Sequence, residues 1–319
     1  RLLSQRGAPS EADLSRRMPG NSLKQGRVTF STTEDAADVA VVINYLKYDT
    51  EIEAREGYVW NWHNEPIVRV PFAKGYDRVF THKASEDSRA VPAPPILDWW
   101  VGKSWDELHA MEPPTKTRTA SAIASTKELI SGHKDRTDFI GLVESEFPEI
   151  DVFGFGREQA LEDKWEGLAP YRYSVAIENS SRDHYWTEKI ADCFLAYSIP
   201  IYFGAPNIAS YFPEKSFIWL PLNDSAVALR TIREVLEEDS WSERMAAVRE
   251  ARRLVLDEYS LWAQLSRRAT EEAELIRRAE IRTVKVHGRR NSPGGWIRGL
   301  GLLGNITSQI KRLSTRLRT

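Results

Sequence analysis

The sequence predicts an α/β fold built on a parallel, doubly wound sheet. One observation is the alternation of strand-like and helix-like stretches from residue 119 to residue 238, at a spacing that fits βαβ units. A second is the helical stripe Leu229, Ile232, Val235 and Leu236, preceded by Asp224 and Ser225 as candidate N-caps. A third is size: 319 residues with 41% hydrophobic and 28% charged content are enough for two ordinary cores.

Taken in order, residues 119–124 read as a strand, 134–147 as a helix, 150–153 and 173–177 as strands, and 187–197 as a helix. Residues 200–203 and 216–220 follow as strands and 225–238 as a helix. Upstream, residues 28–115 hold only short apolar runs, at 39–43, 58–60 and 78–80, broken by Pro-rich punctuation at 91–96 and 111–114. This stretch is expected to form a smaller first domain whose opening strand is not visible. Residues 1–27 are polar and without period, and are expected to be loosely ordered. The expected division is therefore 1–27, 28–115, 116–280 and a tail, 281–319.

Charge separates the tail from the rest. It carries nine Lys/Arg and no Asp/Glu, so a formal net charge of −2 divides into about −11 for the body and +9 for the tail. From residue 297 the apolar positions Ile297, Leu300, Leu303, Ile306, Ile310, Leu313 and Leu317 recur every three or four residues, with Lys311, Arg312, Arg316 and Arg318 off that stripe. A basic amphipathic helix of this kind suits an anionic membrane surface. A packed helix with a solvated face is the plainer alternative. No nucleic-acid-binding module is visible, so nucleic acid is not an expected partner. A single cysteine, Cys193, forms no internal disulfide, no run of about 18 apolar residues is present, and the first residues lack a signal peptide's apolar core. These features point to a cytoplasmic protein, peripheral at the membrane face if the tail binds there.

In doubly wound sheets ligands sit beyond the carboxyl ends of the strands, which directs attention to the loops after Ile177 and Phe203. Residues 171–217 run strand, polar loop, helix, strand, glycine loop. Glu178 and Asn179 close the strand, Tyr185 lies in the loop, Thr187, Glu188 and Lys189 open the helix, and Gly204 follows the next strand. Backbone N–H groups at a helix start, with a lysine, suit a diphosphate, and a nearby carboxylate suits ribose hydroxyls. A nucleotide requires both. Taken singly, Lys189 or Arg136 would be a solvated charge, Glu188 a helix-dipole partner, Asn179 a turn residue and Tyr185 a core aromatic; their joint occurrence weighs against that reading.

The string YRYSVAIENSSRDHYWTEKIADCFLAYSIPIYFG resembles the signature of glycosyltransferase family 10, the α-1,3/4-fucosyltransferases. Residues 119–125 with Gly132 and Arg136, and the DVFGFG of residues 151–156, resemble further elements of that family, so the likeness covers about 116–222. It implies a glycosyltransferase B arrangement of two Rossmann-like domains facing across a cleft, with the donor pocket in the second. It also implies an inverting enzyme moving L-fucose from GDP-fucose to a glycan hydroxyl, as in polysaccharide or protein glycosylation. By the same resemblance Arg136 and Lys189 hold the donor diphosphate, Glu188 the ribose, and Asn179 and Tyr185, with Glu178 and Gly204, the rest of the donor pocket. Some bacterial members resemble this chain in ending with basic amphipathic segments.

An inverting transfer needs a group to take the acceptor proton. Residues 59–66, VWNWHNEP, resemble the family's base-bearing element and offer Glu65, with His63 in reserve. Trp60, Trp62, Trp99, Trp100 and Trp105 are candidates for stacking on sugar rings or for core packing. No Asp-x-Asp triplet is present and the six histidines are dispersed, so no metal site and no obligatory cofactor are expected. The alternatives are a related transferase using a different GDP-sugar and a degenerate glycan- or membrane-binding protein without activity.

Overall fold

A computed structural model of the protein describes residues 1–4, 10–65, 74–83, 86–96, 98–124, 131–154 and 160–288. Two five-stranded parallel sheets organise it. In the second, strands Ile150–Phe153, Arg118–Ile123, Tyr171–Ile177, Ile199–Phe203 and Ile218–Trp219 lie side by side in that order. A parallel sheet covered on both faces requires apolar side chains on both. Tyr173, Val175 and Ile177 pack with Phe139, Val143 and Ile232 on one face. Ala176 and Tyr202 pack with Ile190 and Phe194 on the other. Each fully buried side chain of this size contributes about 1.5–3 kcal/mol, so the sheet is held from both sides.

The helices start where the sequence places their caps. Asp224 accepts from the N–H groups of Ala226 and Val227 to open Ser225–Glu238, and Thr187 opens Glu188–Leu195. The first strand in the chain lies between the second and third, so the winding direction reverses between Arg118–Ile123 and Tyr171–Ile177. That reversal leaves a crevice at their carboxyl ends.

The first sheet runs in chain order: Leu2–Ser4, Ala40–Ile43, Val59–Trp62, Arg78–Thr81 and Ala90–Pro92. Here the expectations need correction at both ends of the chain. The described residues of this first stretch are packed: Leu2–Ser4 is the opening strand that sequence pattern did not reveal, and Leu14 and Met18 are buried beside it. Three residues are too few to display a period. The helix that a Rossmann-like unit would carry between its second and third strands is replaced by the strand Thr50–Arg55. That strand pairs with Ala36–Ala37 and, antiparallel, with Ile281–Val286.

The tail therefore does not begin at residue 281. Ile281–Val286 belongs to the first half, and Leu265 and Ile276 from the preceding helices sit in the same core as Leu2, Trp60 and Phe80. The chain crosses between halves twice, between Ile96 and Trp99 and between Leu256 and Leu261, the second time through the π-helical turn Val255–Tyr259. The helix Trp105–Ala110 contributes Leu108 to the second half's core, which thus begins before residue 116. The amphipathic pattern at 297–317 lies outside the described residues, as do Ser125, Pro66 and Gly156. Among the described residues no helix is long and apolar enough to cross a membrane.

Candidate nucleotide-sugar site

The crevice at the winding reversal is where the predicted residues gather. Arg136, in the helix Ser131–Glu146 that follows the sheet's first strand, donates through Nη1 to Asn179 Oδ1 at 2.5 Å. Asn179 follows the strand on the other side of the reversal, so this one bond spans the crevice. Arg136 is buried. Burial pulls its guanidinium below the ordinary value, and the Glu178 carboxylate works against that shift.

Glu178 does a different job from the expected one. Its carboxylate accepts from the Thr187 N–H at 2.7 Å and from the Thr187 hydroxyl at 2.8 Å, and Lys189 Nζ lies 3.3 Å away. Its side chain has 0% exposed surface, and its bonds position the helix start and Lys189. Burial raises its pKa, and Lys189 opposes that rise. Gly204 is also tied to this arrangement. A Cβ there would lie 2.1 Å from the Tyr202 hydroxyl and 2.6 Å from Glu178 Cγ, so only glycine leaves Glu178 in place. Gly204 makes room for a neighbour and need not touch a ligand.

Lys189 stands between two carboxylates, Glu178 and, at 3.4 Å, Glu188. Burial alone would lower its ammonium, but the two carboxylates outweigh it and hold the group above its ordinary value. It is a permanent cation at the opening of a helix, the combination that favours a phosphate. Glu188 is affected oppositely. Burial raises its carboxyl, yet Lys189, Lys164 and the helix-opening N–H bring it down to about 2. A folded pKa below the unfolded value means that this carboxylate's stabilising contribution is complete above about pH 4.5 and fades as the pH falls toward 2. In acid unfolding, the stability gap between wild type and Glu188→Gln should therefore be widest near neutrality and close below about pH 2. A gap independent of pH would contradict the ion-pair origin.

Two charged groups here carried no signal in the sequence. Asp192, one turn beyond Glu188, is fully buried, pairs with Lys164 at 3.0 Å and accepts from the Trp100 N–H. Lys164 and Lys189 together line a pocket of about 30 Å³, room for about one water. Lys164 is a second cation beside Glu188, and only three-dimensional proximity reveals it.

The first half supplies the opposite wall. His82, at the carboxyl end of Arg78–Thr81, packs its ring 5.0 Å from that of the buried Tyr185. Tyr185's phenol is pushed up by burial and by the carboxylates of Glu178, Glu188 and Glu65, which places Glu65 within electrostatic reach of the pocket. Glu65 itself is exposed. His63 is held neutral, pulled to about 4 by burial and by His82, and an imidazole that weakly basic is a poor proton acceptor near pH 7. Trp60, Trp62 and Trp99 are core, Trp105 is half-buried and stacks on His109, and only Trp100, 58% exposed, is available for stacking on a ligand. Among the described residues no cluster of three His, Cys, Asp or Glu could hold a metal ion.

Residues 113–241, which contain Arg136, Lys164, Glu178, Glu188 and Lys189, match the family model for the C-terminal region of glycosyltransferase family 10 (fucosyltransferase). This segment belongs to glycosyltransferase family 10. A fucosyltransferase-like protein of Arabidopsis thaliana is 30% identical to the chain over 166 residues, covering 51% of it. An alpha-(1,3)-fucosyltransferase of Helicobacter pylori is 40% identical over 58 residues, 18% of the chain, and bovine alpha-(1,3)-fucosyltransferase 4 is 26% identical over 204 residues, 59% of the chain. The matches span 28%, 12% and 44% of those three proteins, less than half of each. A crystal structure of an alpha1,3-fucosyltransferase with GDP-fucose aligns at a TM-score of 0.44 and 18% identity, over 66% of this chain and 69% of that one. The family 10 segment thus begins between the helix Trp105–Ala110 and the strand Arg118–Ile123 and ends at the start of the helix Trp241–Leu254. Glu65, His63 and His82 all lie outside it.

Proposed function

We propose that the chain is an inverting glycosyltransferase that moves L-fucose from GDP-fucose to a glycan hydroxyl. The observation that carries this reading is the pair of cations from separate elements, Arg136 and Lys189, brought to one crevice beside the carboxylate of Glu188. Breaking the bond between sugar and diphosphate builds negative charge on the leaving group, and cations already in position stabilise it without reorganising. In this reading Arg136 and Lys189 face the diphosphate, Glu188 the ribose, and Asn179 and Tyr185 the rest of the donor pocket. Glu65, from the other half, takes the acceptor's proton. Membership of family 10 and the names of the relatives favour fucose as the sugar.

Thermal unfolding with GDP, UDP and ADP tests the donor. A ligand that binds only the folded state adds about 2.7 kcal/mol at a hundredfold excess over its Kd, so GDP should raise the Tm by several degrees and UDP should not. Stabilisation by UDP alone would overturn the assignment.

The basic tail enters the same proposal as an anchor to an anionic membrane surface at the cytoplasmic face. Because Ile281–Val286 is part of the fold, the informative comparison is full-length protein against residues 1–288. Full-length protein should sediment with anionic vesicles and the shorter form should remain in solution. Equal sedimentation would remove the anchor.

A further inference from the structure

Among the described residues, His82 is the one histidine that joins the two halves through a ring contact across the cleft, and the proposed mechanism gives it no role. It closes a central strand of the first sheet, with only 7% of its surface exposed, and its ring rests on Tyr185. The backbone of His63, at the end of the neighbouring strand, favours a proton on the His82 ring, while the imidazole Nδ1 is buried and has no hydrogen-bond partner among the described residues. Burial draws the imidazole to about 4, so the ring is neutral near pH 7. A neutral imidazole has one N–H and one lone pair. With the N–H on the nitrogen that the His63 backbone favours, Nδ1 carries the lone pair and accepts.

A buried polar atom without a partner costs about 1–3 kcal/mol, and native structures retain such atoms where a ligand or water satisfies them. The groups facing His82 narrow the choice. Arg182 and His184, from the loop before Tyr185, and Lys83 all lie close enough to disfavour a proton on it, so a cation is a poor occupant. A hydroxyl is a good one: it donates to Nδ1 without adding charge, and its carbon skeleton can lie against the Tyr185 ring.

We propose that His82 is a substrate-contacting residue of the first half, whose Nδ1 accepts a hydrogen bond from a hydroxyl of the donor's sugar. This rests on the nucleotide-sugar reading above, which puts Tyr185 in the donor pocket. As the sugar enters between the two rings, the contact to Tyr185 gives way to one that satisfies Nδ1. Discrimination between a GDP-sugar and bare GDP would then come partly from a residue outside the family 10 segment.

Calorimetric Kd values for GDP and for GDP-fucose, measured on wild type and three variants, test this. His82→Gln places an amide nitrogen near the Nε2 position, but removes the acceptor at Nδ1. His82→Phe keeps only the ring on Tyr185. His82→Asn returns an oxygen near the Nδ1 position. The expected result is an unchanged Kd for GDP in all three, a GDP-fucose Kd raised about five- to tenfold in His82→Gln and His82→Phe, and recovery toward wild type in His82→Asn. If the ratio of the two Kd values is the same in all four proteins, or if both Kd values move together with the Tm, His82 is a structural residue and the inference fails. Wild-type protein that binds neither GDP nor GDP-fucose would instead sink the donor reading, an outcome visible before any variant is compared.

Discussion

Replacing Lys189 or Arg136 with alanine should lower kcat/KM for fucosyl transfer by about 10²–10³ each, the loss typical of removing one pre-placed group that stabilises developing charge. The two substitutions should differ in their side effects. Lys189 stands 3.3 Å from Glu178 and 3.4 Å from Glu188, so Lys189→Ala leaves Glu188 with Lys164 alone and deprives Glu178, which has no exposed surface, of its ion pair. A buried charge deprived of its partner costs about 3–5 kcal/mol unless it takes up a proton, so Lys189→Ala should also lower the Tm markedly. Lys189→Arg separates the effects: it keeps the cation, and should retain most of the stability while losing rate because the planar fork cannot occupy the ammonium's position. Steady-state kinetics beside thermal unfolding are the measurement. Wild-type kcat/KM in both Arg136→Ala and Lys189→Ala would remove the electrostatic argument.

Glu65→Gln should reduce kcat by about 10²–10⁴, the usual contribution of a positioned proton acceptor, while leaving the Kd for GDP within twofold of wild type. The second half of that expectation follows from location. Glu65 is exposed on the first half and reaches the pocket through its field on Tyr185, so neutralising it should not disturb the Arg136, Lys189 and Glu188 cluster. Stability should also be unchanged, since an exposed glutamate in a loop carries little of the fold. If Glu65→Gln retains full turnover, the proton acceptor is another group.

The second half of the fold was legible because its strands and helices are long enough to show a period and because Asp224 and Thr187 cap where a cap is needed. The first half was much less so. Leu2–Ser4 has three residues, and Ile281–Val286 shows an exposed and irregular burial pattern, so neither displays the alternation that marks a strand; their identity comes from their partners, Val41–Ile43 and Thr50–Arg55. Strand pairing is non-local, and a run of basic residues read alone looks like a tail. At the site, Arg136, Asn179, Tyr185, Glu188 and Lys189 stood in one recognisable string or its flanking motif, and the structure brings them together. Lys164, Asp192 and His82 lie in no such pattern. A lysine pairing with an aspartate 28 residues later, or a histidine meeting a tyrosine from the other half, has no signature in either local sequence.

The double passage of the chain between the halves bears on how the cleft can open. A protein joined by a single linker can swing its lobes in any direction, but here the polypeptide returns after Leu256 and is stitched into the first lobe by Ile281–Val286. Any swing must bend the backbone at both passages together, and one of them is a π-helical turn, whose widened hydrogen-bond spacing is a natural place for a helix to flex. Two pivots define a line, so the jaws are guided like a door on paired pins, and Glu65 and His82 would return to the same place over the crevice at each closure.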